Sequence, residues 1–459
     1  MRSPAFVVVL LGVLGLTSGF SSAAAPRETD PADQSRGKVY EWKSSDGLAY
    51  QYRIPRKYDE EIGVNLTFIL HGSNLTRTWG FANHEAATFR PDDVVVCPDG
   101  TTSSGQGGFN FLGKDADVNR FHALHEELKK IFNVNATYLY GHSQGSFFAL
   151  HYAGEKPEAV QGVVAHASGV WTWTKQPEAA HHQAIVLMHG TQDPVVPYGQ
   201  SVGGFEAYAA KNYPTIRMRS LEGWNHWPAE HNGPTPHTSQ QFAWVEGMTT
   251  KDPKRLAAAF TTLSTAKSKE QHDFAGLYLF ASRIARMPEA TAGAKRVSEK
   301  AIKSVEALAR KHIAKFAEVD PNGEFTIGDD AWIGHLPMFL RAFEGVPEAD
   351  ALKDKWAKVM EQQKATGMKD LSGYSRGLRA GDKGAAFSAG LRALKACFLT
   401  VYCTDRQFLE NMDKWAGDAR SLKLDRAEVS EFKALSKDHR KALTSGRKAF
   451  EAINGRASL

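Results

Sequence analysis

Residues Gly141-His142-Ser143-Gln144-Gly145 constrain the fold of this chain more than any other stretch. They read Gly-x-Ser-x-Gly. A short apolar and β-branched run, 135–140, precedes them, and the apolar run 146–153 follows. The pattern predicts a strand, a tight turn and a buried helix, with the serine at the turn as a nucleophile elbow. The glycines let backbones crowd where a Cβ would clash. The helix aims its first N–H groups at any anion formed there. The plain alternative, a chance match of common residues, does not account for the strand and helix patterns on either side.

Around this stretch the chain alternates strands and helices. Residues 39–42 and 48–54 read as a hairpin around Ser45-Asp46-Gly47. Strong strands over 63–70 and 94–97 end in His71-Gly72-Ser73-Asn74 and Pro98-Asp99-Gly100. The Gly-rich segment 105–113 lacks the lysine and the strand–helix setting of a phosphate loop, so a flexible loop beside the site is expected. Val118, Phe121, Leu124, Leu128 and Ile131 have helical spacing. The continuous apolar runs 160–165 and 184–188 suit parallel strands covered on both faces. A helix over 202–210, a strand over 215–221 and a helix over 240–248 follow. This predicts an α/β fold with a mostly parallel, doubly wound sheet, whose ligands sit at the carboxyl ends of the strands.

From about residue 250 strand signals vanish. Helical periodicity runs over 255–265, 270–286, 291–317, 332–343, 351–363, 384–401, 405–415 and 426–453. A length of 459 residues suits two or three domains. The expected organisation is an α/β catalytic domain over 26–249 and an all-helical domain of unassigned role over 250–459.

A serine hydroxyl needs a base within hydrogen-bond reach, and the base needs an acid to fix its tautomer. After Ser143 the strand 184–188 runs into His189-Gly-Thr-Gln-Asp193-Pro-Val-Val-Pro197, and the next strand ends in Glu222-Gly-Trp-Asn-His226-Trp-Pro228. Alone, Asp193 is an ordinary Asp-Pro turn residue. Alone, His226 is one histidine among 17. Together, at successive strand ends and in the order serine, acid, histidine, they predict a triad of Ser143, Asp193 and His226. Glu222 is the alternative acid, less well placed because it sits on the strand. The expected oxyanion donors are the N–H groups of Gln144 and Ser73. Trp171, Trp173, Trp224 and Trp227 fall in strand-end loops. With Phe109 of the Gly-rich segment, Trp171, Trp224 and Trp227 are the expected substrate-binding residues; loop packing is the competing explanation.

The N-terminus carries a positive start at Arg2, an apolar core over 5–16 and Ala23-Ala-Ala25 before Pro26. This predicts a secretory signal peptide over residues 1–25 and a secreted or periplasmic protein. No later stretch is apolar and long enough for a membrane span. Cys97 reads as a buried thiol, whereas Cys397 and Cys403 pair only if the helix breaks between them. With 56 basic and 51 acidic residues, the balance of charge does not point to nucleic acid. No cofactor and no metal is expected. Residues 320–327 match part of a calcium loop, but Phe325 stands where the turn glycine belongs and Ala331 where the bidentate glutamate belongs. The Asn-x-Thr patterns at Asn65, Asn74 and Asn135 read as coincidental glycosylation sequons. The oligomeric state is open.

The segments Tyr52-Arg-Ile-Pro55, Leu70-His-Gly-Ser73, Cys97-Pro-Asp-Gly100, Gly141-His-Ser-Gln-Gly145, His189-Gly-Thr-Gln-Asp193 and Asn225-His-Trp-Pro228 resemble secreted polyhydroxybutyrate depolymerases and feruloyl or acetylxylan esterases. The resemblance covers about residues 38–249. It implies an α/β-hydrolase fold in which Ser143, Asp193 and His226 are the triad. Trp224 stands where that family has glycine, which narrows the expected pocket. The function expected is a secreted serine hydrolase cleaving an ester, small or polymer-linked, through an acyl-enzyme. Polysaccharide-linked acyl or feruloyl esters and polyhydroxyalkanoates are the substrate classes in view. A serine peptidase on the same fold and a binding protein acting through its helical half are the alternatives.

Overall fold

A computed structural model describes residues 31–82, 90–227, 236–266, 268–321, 335–396 and 406–456. The expected signal peptide, Cys397, Cys403 and nearly all of the calcium-like stretch lie outside them.

The main sheet has eight strands: β1 (Val39–Lys43), β2 (Ala49–Arg53), β3 (Val64–Leu70), β4 (Val94–Pro98), β7 (Val134–His142), β8 (Gly162–His166), β9 (Ala184–Gly190) and β10 (Ile216–Leu221). Their order is β1-β2-β4-β3-β7-β8-β9-β10. From β4 to β10 every pairing is parallel; β1 and β2 add antiparallel. The Gly-rich segment is not a free loop. It forms a small hairpin, β5 (Thr102–Ser103) with β6 (Phe109–Asn110).

Alternate residues of each central strand fill opposite cores, as a pleat requires. Leu139, Ile185 and Leu187 face one core with the helices α2 (Asp115–Ile131), α3 (Gln144–Glu155) and α4 (Gly199–Ala210), after a short α1 (Thr78–Ala82). Tyr140, Val186 and Met188 face the other core. It is covered by α5 (Pro236–Thr249), α6 (Pro253–Ser264) and α7 (Phe274–Arg286), through Phe242, Leu256, Leu263, Phe280 and Ile284. The first two helices beyond residue 250 therefore share the core of the sheet.

Two further cores hold the rest. Val305, Phe316, Phe339, Trp356 and Phe450 join α8 (Ala292–Glu318), α9 (Leu336–Ala342), α10 (Pro347–Ala380) and α13 (Arg426–Asn454). Phe387, Leu394, Met412, Trp415 and Phe432 join α11 (Lys383–Ala396), α12 (Arg406–Gly417) and the start of α13. Helix α10 continues 17 residues beyond the end expected at Gln363, through Gly367, Gly373 and Gly377. Glycine weakens an isolated helix. Here a Cβ on Gly377 would lie 2.7 Å from the backbone of Ala386, so glycine is what lets α10 and α11 touch.

Candidate active site

Strand β7 ends at His142, and Ser143 takes φ 53° and ψ −123° before α3 begins. A non-glycine residue with positive φ is strained and is found where the surrounding structure enforces it. Both flanking glycines are needed. A Cβ on Gly141 would come within 2.4 Å of Gly145, and one on Gly145 within 2.4 Å of Leu70 O. Ser146 Oγ latches the elbow to the end of β8: it donates to His166 O at 2.9 Å and accepts from His166 N at 2.8 Å.

The loop after β3 lies against this turn, since a Cβ on Gly72 would sit 3.4 Å from Ser143 Cβ. Its shape is fixed by His71, a buried side chain. Gly100 N donates to His71 Nε2 at 3.0 Å, which leaves Nδ1 as the donor to Gly72 O at 2.7 Å. Burial pushes the pKa of His71 down, in keeping with a neutral ring. Asp99 holds the far side of the loop through Arg77 N at 2.7 Å and Arg77 Nη1 at 2.9 Å. The hairpin pairs with the same loop by Asn74 N to Phe109 O and Phe109 N to Leu75 O. Phe111 N donates to Gln144 Oε1 at 3.0 Å. Among the described residues no hydrogen bond takes up the N–H of Gln144 or of Ser73.

Asp193 and His226 meet at the ends of β9 and β10. His226 Nδ1 lies 2.7 Å from Asp193 Oδ2, and both side chains are buried. Asp193 Oδ1 accepts Val195 N and Val196 N, each at 2.8 Å. Burial alone would raise the pKa of Asp193; hydrogen bonds from His189 and His226 outweigh it and hold the carboxyl far below its usual range. The backbones of the two loops touch as well: a Cβ on Gly190 would meet Trp224 O at 2.3 Å. His142 completes the join. Its Nε2 donates to His226 O at 3.0 Å, its ring centroid is 4.7 Å from that of His226, and it stacks on Trp79. The residue beside Ser143 thus anchors the histidine loop. Ser143 Oγ itself makes no hydrogen bond among the described residues. Bonds of this kind are often long in unliganded enzymes and tighten on substrate.

The aromatic residues separate. Trp227 is half exposed, with its ring edge-on to His226 at 5.1 Å. Trp171 stacks between Phe147, one turn beyond Ser143, and the exposed Trp173. Phe109 lies half-buried on the hairpin beside the loop of Ser73. Trp224 is half-buried against His237, with the Arg456 guanidinium 4.0 Å above its ring. The carboxylate of Glu222, the alternative acid, is held by Arg341 at 2.9 Å, while His226 Nδ1 meets Asp193.

Sequence reasoning assigned no role to His71, His142, His189, Arg341 or Arg456. The first three lie inside motifs read for their serine or aspartate. The arginines carry no local signal. One described cluster has metal-ligand proximity, His122, His125 and Glu126. Both ring nitrogens of His125 are already engaged, by Tyr152 Oη and Thr137 Oγ1 at 2.9 Å each, so metal binding there would break both bonds.

Residues 115–231 match the family model of phospholipases and carboxylesterases. The sheet region has a carboxylesterase-type hydrolase fold. No protein among those of curated function matches the chain. Solved structures align over less than half of the chain. A carboxylesterase from Mesorhizobium loti is 17% identical, with 44% of this chain and 98% of that one covered and a TM-score of 0.37. A feruloyl esterase module from Clostridium thermocellum, solved with sinapinate, is 13% identical over 41% of this chain and 81% of that one, with a TM-score of 0.34. A thermostable esterase is 17% identical over 49% of this chain and 62% of that one, with a TM-score of 0.33.

Proposed function

We propose that this protein is a serine esterase that cleaves carboxylic esters through an acyl-enzyme. The observation that carries the reading is the Asp193–His226 pair at 2.7 Å, anchored by His142 to a strained Ser143 elbow. Ser143 Oγ attacks the ester carbonyl and its proton passes to His226 Nε2. Asp193, ionised, steadies the imidazolium that forms. The N–H groups of Gln144 and Ser73 receive the oxyanion. Collapse expels the alkoxide, which takes the proton from His226. Water, deprotonated by His226, then attacks the acyl carbon and frees Ser143.

The substrate proposed is an ester with a flat acyl or sugar part. Trp227 beside His226 and the Phe147–Trp171–Trp173 stack beyond Ser143 offer planar surfaces for it. The leader over residues 1–25 directs export; a secreted product beginning at Pro26 is the expected mass-spectrometric result.

The deciding experiment is hydrolysis of p-nitrophenyl acetate and methyl ferulate, with fluorophosphonate labelling. Wild type turns over at least one ester and takes the label at Ser143, and Ser143→Ala does neither. Undiminished turnover by Ser143→Ala would overturn the proposal.

A further inference from the structure

The helical part of the chain reaches into the loop that carries His226. Glu222, at the root of that loop, is 4% exposed. Its carboxylate accepts Arg341 Nε and pairs with Nη2, both at 2.9 Å. Arg341 belongs to α9, 119 residues further along the chain. Its guanidinium also lies 5.8 Å from the Tyr198 ring, whose hydroxyl meets Ser220 Oγ at 2.6 Å. Two residues beyond Glu222, Trp224 lies under Arg456 at 4.0 Å. Arg456 follows Gly455, whose φ of 74° ends α13 and turns the chain back toward this loop.

The other side of the loop is tied to the Asp193 loop. Gly223 N donates to Thr191 Oγ1 at 2.9 Å, and Gln192 N to Trp224 O at 2.9 Å. The histidine loop is therefore held between the acid loop and the two arginines. Arg217 of β10 already joins the sheet to the helices through Asp273. Arg341 and Arg456 land instead on the residues leading to His226.

Arg341 has a second effect. Glu222 is a second carboxylate of this loop, four residues before His226 in the chain. Paired with Arg341 it is committed elsewhere, so His226 has one acid, Asp193. An unpaired carboxylate buried at this point would be strongly unfavourable and would pull the loop toward any donor.

We infer that the helical region is part of the catalytic unit, and that Arg341 and Arg456 are positioning residues that hold His226 toward Asp193 through Glu222 and Trp224. The inference rests on the proposed role of His226 as the base.

The test uses the full chain with Arg341→Met, Arg341→Lys, Arg456→Ala and Arg456→Lys. Ester turnover is measured with hydrogen–deuterium exchange of the peptide spanning 222–227. Misplacing a catalytic group costs about tenfold to a hundredfold. The expected result is a kcat fall of that size in Arg341→Met and Arg456→Ala, with KM within about twofold, faster exchange in the loop, and partial rescue by the lysine variants. Adding Glu222→Gln to Arg341→Met recovers part of the loss, because the stranded charge is gone. If Arg341→Met does not fold, Arg456→Ala, at a half-exposed site, carries the test. Unchanged exchange overturns the brace. Faster exchange with unchanged kcat overturns its link to catalysis. A wild type without esterase activity overturns the proposed function, and the exchange data still decide whether the brace exists.

Discussion

His189 and His226 share one oxygen of Asp193. His226 Nδ1 lies 2.7 Å from Oδ2 and His189 Nε2 lies 3.0 Å from it. His189 is locked in turn by Ser201, at 2.7 Å from its Nδ1. Ser201 Oγ itself meets Ser168 O. The carboxylate cannot rotate without breaking bonds on both oxygens. Asp193→Asn is expected to lower kcat about ten-thousandfold, because the amide favours the wrong tautomer of His226. His189→Gln is expected to cost about tenfold, through a looser carboxylate. Steady-state kinetics on one p-nitrophenyl ester separates the two; equal losses would show that His189 does more than position Asp193.

Ser143→Gly should stabilise the protein while abolishing turnover. The serine holds φ at 53°, which glycine adopts without strain, and the gain is about 1 kcal/mol. Gly145→Ala should destabilise it by about 1–3 kcal/mol, since the new methyl meets Leu70 O. Urea unfolding of both variants checks the opposite signs.

His125 gives the fold a pH dependence of its own. It is fully buried, and burial lowers its pKa to about 4. The unfolded chain titrates it near 6.5 and so binds more protons than the folded chain between the two values. Stability should therefore fall as pH drops from about 6.5 to about 4, by an amount on the order of 3 kcal/mol from this residue. Urea midpoints of wild type and His125→Gln at pH 7 and pH 4 test it: the variant should lose less.

Asp273 works in a lower window. Burial would raise its pKa, but Arg217 and Arg219 outweigh that and hold it far below the ordinary range. Its contribution is complete above the unfolded value of about 3.9 and declines as the pH falls below it. Asp273→Ala strands the buried Arg217, whose two bonds to Asp273 are 2.9 and 2.7 Å, and should cost about 3–5 kcal/mol at neutral pH. The double variant with Arg217→Met should cost less than Asp273→Ala alone. Urea denaturation of the two, read by tryptophan fluorescence, gives the comparison.

Much of the sheet was legible because burial on both faces writes a continuous apolar run into each central strand. Strands 184–188 and 215–221 were expected within a few residues of β9 and β10. The elbow was legible because its demands are local: glycine at 141 and 145, and a serine between them. Helix α10 was cut short in the sequence reading because glycine penalises an isolated helix, and only its packing on α11 shows why glycine is used. The hairpin at 102–110 was missed because its strands are two residues each, too short for a period.

The sequence by itself determined the candidate residue types, their order along the chain and the strand ends on which they stand, because these follow from neighbours a few positions away. It favoured Asp193 over Glu222 as the acid from their places in a loop and on a strand, but carried no sign of the partners that fix that choice. That choice lies in partners far along the chain: His226 turns to Asp193, and Arg341 binds Glu222. A hydrogen bond or ion pair forms only where folding brings both groups within about 3 Å, and no spacing in the sequence reports that distance across 119 residues.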